Sequence, residues 1–144
     1  MRGFLAALLL SVTGMAIPAQ EGMMAPPAES GQGGTMMMSA PASRIVPFTD
    51  LSTARLLAAQ SPTVLFFSAS DCTTCAAAMR DLQAGSERLG GVVVLVVDYD
   101  RAGELKKRYG VTNEHTWVRI DAAGGKLAVW NGGGLDELLR RVRQ

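Results

Sequence analysis

Two cysteines and a single histidine carry the most reactive side chains of this chain. Cys72 and Cys75 stand in "SASDCTTCAAAMR", with Thr73 and Thr74 between them and Asp71 just before. His115 stands far along the chain in "YGVTNEHTWVRID". A cysteine pair this close can be a redox switch, a metal clip or a structural staple. A staple normally joins distant segments, and so short a loop gains little from chain entropy when it is closed. On a helix, positions i and i+3 share a face about 5–6 Å apart. That lies within the ~4.4–6.8 Å Cα separation that a disulfide accepts. The pair can open and close with little backbone movement. If Cys72 opens the helix, the unpaired N–H groups and the helix dipole favour its thiolate. Cys72 is then the expected nucleophile. Cys75, one turn further in, is the expected resolving thiol.

The elements around the pair must place it at such a helix start. "RIVPF" from Arg44 predicts a short strand, confined to a sheet edge by Pro47. Asp50 or Ser52 is expected to cap a helix through "LSTARLLAAQ", with Leu51, Leu56 and Leu57 on its apolar face. "PTVLFFSAS" reads as a buried strand over 64–67. A helix is expected from Cys72 through "AAAMRDLQAGSERL", broken by Gly90 and Gly91. "VVVLVV" is apolar without alternation, as in a strand buried on both faces. Asp98 and Asp100 are expected to end it and cap the helix "RAGELKKRY", which Gly110 stops. "TWVRID" and "KLAVW" predict a hairpin around "AAGG". Gly132, Gly133 and Gly134 then lead into a last helix over 135–142, with Leu138, Leu139 and Val142 on one face. Alternating strands and helices followed by a hairpin predict an α/β fold with a central mixed sheet. In open sheets of this kind chemistry collects beyond the C-terminal ends of strands, where the cysteines fall.

The remaining sequence frames this domain. "MRGFLAALLLSVTGMAIPAQ" reads as an export signal, with Arg2 as its positive start and cleavage expected after Ala19. Its apolar run is shorter than the roughly 18 residues of a membrane span. The chain is therefore expected to be exported, to a periplasmic or extracellular space, and to meet the membrane only through residues 1–19 if they are not removed. An oxidising compartment suits a disulfide. Residues 20–43 are rich in Pro, Gly, Ser and Ala and read as a flexible linker. The linker also holds Met23, Met24, Met36, Met37 and Met38, whose thioethers suit Cu(I). The ordered domain is expected over 44–144. A formal net charge of +1 over 144 residues gives no reason to expect nucleic acid as a partner.

The stretches "PTVLFFSASDCTTC", "VVVLVVDYD", "YGVTNEHTWVRID" and "GGGLDELLRR" together resemble a thioredoxin-like domain. The resemblance covers residues 44–144. It implies a three-layer sandwich, a central mixed sheet flanked by helices, with Cys72 exposed and Cys75 shielded. It implies a thiol–disulfide oxidoreductase that needs no cofactor, acts on protein thiols and disulfides, and relies on a redox partner protein. Three positions depart from the family. Its Trp-Cys-Gly-Pro-Cys is replaced by Asp71-Cys72-Thr73-Thr74-Cys75, which sets a negative charge beside the nucleophile. Its buried acidic residue aligns with Phe66. Its cis-proline, which sits against the cysteine pair, aligns with His115. A cis bond before a non-proline costs about 2.5–4 kcal/mol, so a trans bond and a different loop are expected here.

Two readings of His115 follow. In one it lines the substrate groove with Asp71, Thr73, Thr74, Glu114 and Thr116, and tunes the cysteines. In the other, Cys72, Cys75 and His115 form a three-ligand metal site for Cu(I) or Zn(II). That alternative is a copper-binding or copper-chaperone module, helped by the methionine-rich linker. It resembles the exported Sco-type chaperones, which use two cysteines and a distant histidine at another spacing.

Overall fold

The computed structural model describes residues 44–144. The expected leader at 1–19 and the linker at 20–43 with its methionines lie outside the described residues.

Strand β2 (Thr63–Ser68) is the middle of the sheet, and its sequence explains why. Val64, Leu65, Phe66 and Phe67 are all fully buried. A strand turns successive side chains to opposite faces. Val64 and Phe66 accordingly enter one core layer, and Leu65 and Phe67 the other. Each such burial contributes about 1.5–3 kcal/mol. On one side β2 pairs in parallel with β3 (Val93–Asp98). On the other it pairs antiparallel with β4 (Thr116–Ile120). Strand β1 (Arg44–Pro47) flanks β3, and β5 (Lys126–Asn131) flanks β4, so the order is β1-β3-β2-β4-β5. Pro47 lies on an edge strand, where its missing N–H leaves no interior ladder broken.

Helices cover both faces. Helix α2 (Thr73–Ala84) and helix α4 (Leu135–Val142) share one core layer, through Cys75, Ala78 and Leu82 from α2 and Leu135, Leu138 and Leu139 from α4. Helix α1 (Leu51–Ala58) and helix α3 (Gly103–Tyr109) pack on the other through Ala54 and Tyr109. The result is the central mixed sheet that the alternation of elements predicts, in the three-layer sandwich that the resemblance implies. Among the described residues no helix is long and apolar enough to cross a membrane.

Three local expectations need correction. Leu56 is 67% exposed, and Ala54 is the buried residue of α1. The helix is eight residues long, and its buried stripe is narrow enough to be filled by Ala54, with Leu51 and Leu57 packed at its borders. Helix α2 ends at Ala84 with Gly85 as its cap, and Ser86–Leu89 forms a separate 3-10 turn. A β-carbon at Gly85 would run into the Leu135 side chain, so this glycine is where α4 approaches α2 closely. Asp98 does not cap α3: its carboxylate accepts from the Asp100 and Arg101 N–H groups and closes a turn before the helix. The N-cap of α3 is Ala102, without a side-chain bond.

Candidate functional site

Strand β2 ends at Ser68, and four residues later the chain enters α2 at Cys72, its N-cap. The cap geometry is supplied by sulfur: the Cys75 N–H donates to Cys72 Sγ at 3.1 Å. Thr74 Oγ1 lies 3.4 Å from the same sulfur. Cys72 and Cys75 are joined in a disulfide with a Cα separation of 5.2 Å. The two sulfurs differ in access. Cys75 is fully buried in the core layer, whereas Cys72 is half-buried at its border. The expectation of an exposed Cys72 is therefore softened, because the Cys72 side chain folds back over the first turn.

Facing the pair is the segment before β4. His115 has φ 57°, the single non-glycine residue with positive φ among the described residues. That conformation costs an ordinary residue about 1–3 kcal/mol, although histidine tolerates it better than most. Its surroundings impose it. The His115 N–H donates to the Phe67 carbonyl at 2.8 Å, and its carbonyl accepts from the Gly132 N–H at 2.8 Å. Asn131 Nδ2 donates to the His115 carbonyl at 3.2 Å and to the Glu114 carbonyl at 2.8 Å. His115 Nε2 lies 2.7 Å from the Gly133 carbonyl oxygen. A carbonyl only accepts, so Nε2 carries a proton, and in the neutral ring Nδ1 then holds the lone pair. The backbone here is a loop different from one built on proline, as the departure at this position predicts.

The glycine run before α4 is thus a wall of the site. Gly133 has φ 84°, and a β-carbon there would strike Glu137. Asp81, on the second half of α2, accepts from the Leu135 N–H at 2.7 Å and so ties the start of α4 to the cysteine helix. Beneath, Phe66 stacks on Trp117, and Trp117 on Trp130. The Phe66 and His115 rings meet edge to face, with centroids 5.6 Å and planes 70° apart.

One ring nitrogen of His115 and the two cysteine sulfurs all lie within 4.8 Å of one another. Residues 43 apart in sequence from Cys72 to His115 are therefore neighbours. Thr74, Ala77, Ala78, Asp81, His115, Gly133 and Gly134 line a shallow groove of about 330 Å³ beside them. Asp71, Thr73 and Glu114 are exposed. Thr116 is buried, and its hydroxyl donates to the Asn113 carbonyl at 2.7 Å. A larger cleft, about 940 Å³, opens along Ile45, Pro47, Ser68, Met79, Asp98 and Arg101, but neither cysteine nor His115 lines it. The reactive groups, not the cleft size, mark the candidate site. Asn131, Gly133 and Asp81 were not legible as site residues, since each acts through a contact with a remote element.

No family model and no curated protein matches the sequence. Solved structures do match the fold. Thioredoxin f from spinach chloroplast superposes with a TM-score of 0.61 at 19% identity, covering 74% of this chain and 96% of that one. Schistosoma mansoni thioredoxin pre-protein gives 0.60 at 19% identity, covering 70% and 97%. The germline-specific thioredoxin Deadhead from Drosophila melanogaster gives 0.52 at 26% identity, covering 60% and 82%. The fold is thioredoxin-like.

Proposed function

We propose that the chain is a thiol–disulfide oxidoreductase acting on protein substrates through Cys72 and Cys75. The observation that carries this reading is the unequal access of two bonded sulfurs at a helix start, one half-buried and capping the helix, the other fully buried. After reduction, the N–H that points at Cys72 Sγ stabilises a thiolate there. That thiolate attacks a substrate disulfide, forms a mixed disulfide and releases one substrate thiol. The Cys75 thiolate then attacks Cys72 Sγ, releases the second substrate thiol and restores the Cys72–Cys75 bond. Two electrons pass to the substrate, and a redox partner protein resets the pair. His115 and Thr74 both line the groove. Asp71, Thr73 and Glu114 are the exposed side chains that meet the substrate chain.

Reduced protein mixed with a disulfide substrate such as insulin tests this reading. The wild type is expected to reduce it, Cys72→Ser to lose the activity, and Cys75→Ser to accumulate the mixed disulfide. An unchanged rate in Cys72→Ser sinks the reading. The reduction potential of the pair then assigns direction: about −270 mV marks a reductant and about −120 mV an oxidant.

We further propose that the protein is exported and that residues 1–19 are its signal. Support comes from the charged start, the short apolar run and the small residue at position 19. Mass spectrometry of protein recovered from a bacterial periplasm is expected to find a new N-terminus at Gln20. Retention of the intact chain in the cytoplasm would contradict export.

A further inference from the structure

We propose that Cys72, Cys75 and His115, once the disulfide is reduced, bind one thiophilic d10 cation, Zn(II) or Cu(I), and that the disulfide is the off state of this site. The donor set is two thiolates and an imidazole, which suits both ions. The site shares Cys72 and Cys75 with the exchange reaction but needs only that the pair be reduced, not that it turn over, so it is tested without any disulfide substrate.

Geometry supports it in three ways. First, the spacing is close to what an ion needs. With bonds of about 2.3 Å to sulfur and about 2.0 Å to nitrogen, tetrahedral ligand atoms stand about 3.5–3.8 Å apart. The three donors already fit within 4.8 Å. Reduction frees the sulfurs to separate, and the histidine needs to close by about one ångström. Secondly, one imidazole nitrogen has a second partner, as in metal-binding histidines, with the other nitrogen assigned to the ion. His115 Nε2 lies 2.7 Å from the Gly133 carbonyl oxygen, and in the neutral ring this contact keeps the proton on Nε2 and leaves the Nδ1 lone pair for a metal. The ring is also set by the backbone bonds of residue 115 to Phe67 and Gly132, so little ordering remains to be done on binding. Thirdly, Cys72 and His115 are only half-buried. Three protein ligands with an open fourth side make a site that can exchange its ion, in contrast to a closed structural site.

Binding displaces the two thiol protons. Oxidation by a disulfide compound joins the two sulfurs, reduces that compound to two thiols and expels the ion, since bonded sulfurs are no longer thiolates. Metal occupancy therefore follows the redox state of the pair.

The test uses full-length protein, reduced and then freed of reductant without air. Cobalt(II) serves as the spectroscopic probe, zinc and Cu(I) as the two competing ions. Reduced wild type is expected to bind one cobalt, with a sulfur-to-cobalt charge-transfer band and the visible bands of a tetrahedral ion. Disulfide-bonded protein is expected to show neither. His115→Asn accepts the same backbone conformation and is expected to lose at least about 100-fold in affinity. X-ray absorption on wild type, which needs no variant, is expected to count two sulfurs and a histidine nitrogen. Displacement of cobalt by zinc at equal stoichiometry identifies a Zn(II) site; displacement by Cu(I) alone identifies a copper site. Methionine thioethers outside the described residues are poor ligands for cobalt and zinc, so they do not imitate this signal. Absence of cobalt and Cu(I) binding by the reduced pair, a shell without nitrogen, or equal affinity in His115→Asn each overturns the proposal.

Discussion

The ring of Phe66 lies on that of Trp117, with centroids 3.9 Å and planes 14° apart. Both side chains are fully buried, and the stack continues to Trp130. This apolar column stands in the layer that holds Cys75. In the resemblance to thioredoxins, Phe66 stands where that family has a buried acidic residue. Phe66→Ala removes one plate of the stack and leaves a cavity. Urea unfolding is expected to show a loss of about 3–5 kcal/mol. A loss below about 1 kcal/mol would mean that the column is not a main support of the core.

Proline at position 115 is a second case. His115 holds φ 57°, and proline is confined near −65°. Its N–H also donates to the Phe67 carbonyl, a bond that proline cannot make. His115→Pro is expected to cost at least about 2 kcal/mol. His115→Gly keeps the N–H and takes positive φ freely, so it is expected to stay within about 1 kcal/mol of wild type. Equal unfolding midpoints for the two variants would show that this loop rebuilds easily.

Asp81 links the cysteine helix to the last helix by accepting from the Leu135 N–H. Asp81→Ala is expected to lose about 0.5–2 kcal/mol, the usual cost of a lost cap. The Leu135 amide should exchange with deuterium faster, while amides of β2 respond only to global stability. No change at Leu135 would place the anchoring of α4 entirely in its apolar face.

Asp50 gives a pH test. The Thr53 N–H, first, and then the Thr53 and Thr49 hydroxyls hold its carboxyl below the ordinary value of 3.8. A carboxyl with a depressed folded pKa adds stability above its unfolded pKa and loses it as pH falls through the folded one. Asp50→Asn keeps a capping oxygen but no charge. Its thermal midpoint is expected below wild type at neutral pH, with the gap closing as pH drops through and below 3.8. A gap that persists in acid would assign the effect to cap geometry alone.

Much of the fold is legible locally, because the run 64–67 and the valines of 92–97 have no other stable place than a sheet covered on both faces. The edge role of Pro47, the stop at Gly110 and the Asp50 cap follow from single-residue backbone chemistry. Leu56 misleads because periodicity marks a stripe but not its width. Asp98 misleads because an acidic side chain serves a turn as well as a cap.

By itself the sequence determined the order of elements and the helix-start position of the cysteines, since both rest on short-range pattern and propensity. Only the tertiary structure decided how far Cys72 is covered, where His115 points its hydrogen bond, and that Asn131, Gly133 and Asp81 hold the site together. Those facts arise between β4, β5, α2 and α4. A contact between distant segments leaves no periodic trace in any of them, so the resemblance alone suggested that His115 faces the cysteine pair, and the structure supplied the distance that brings the three together.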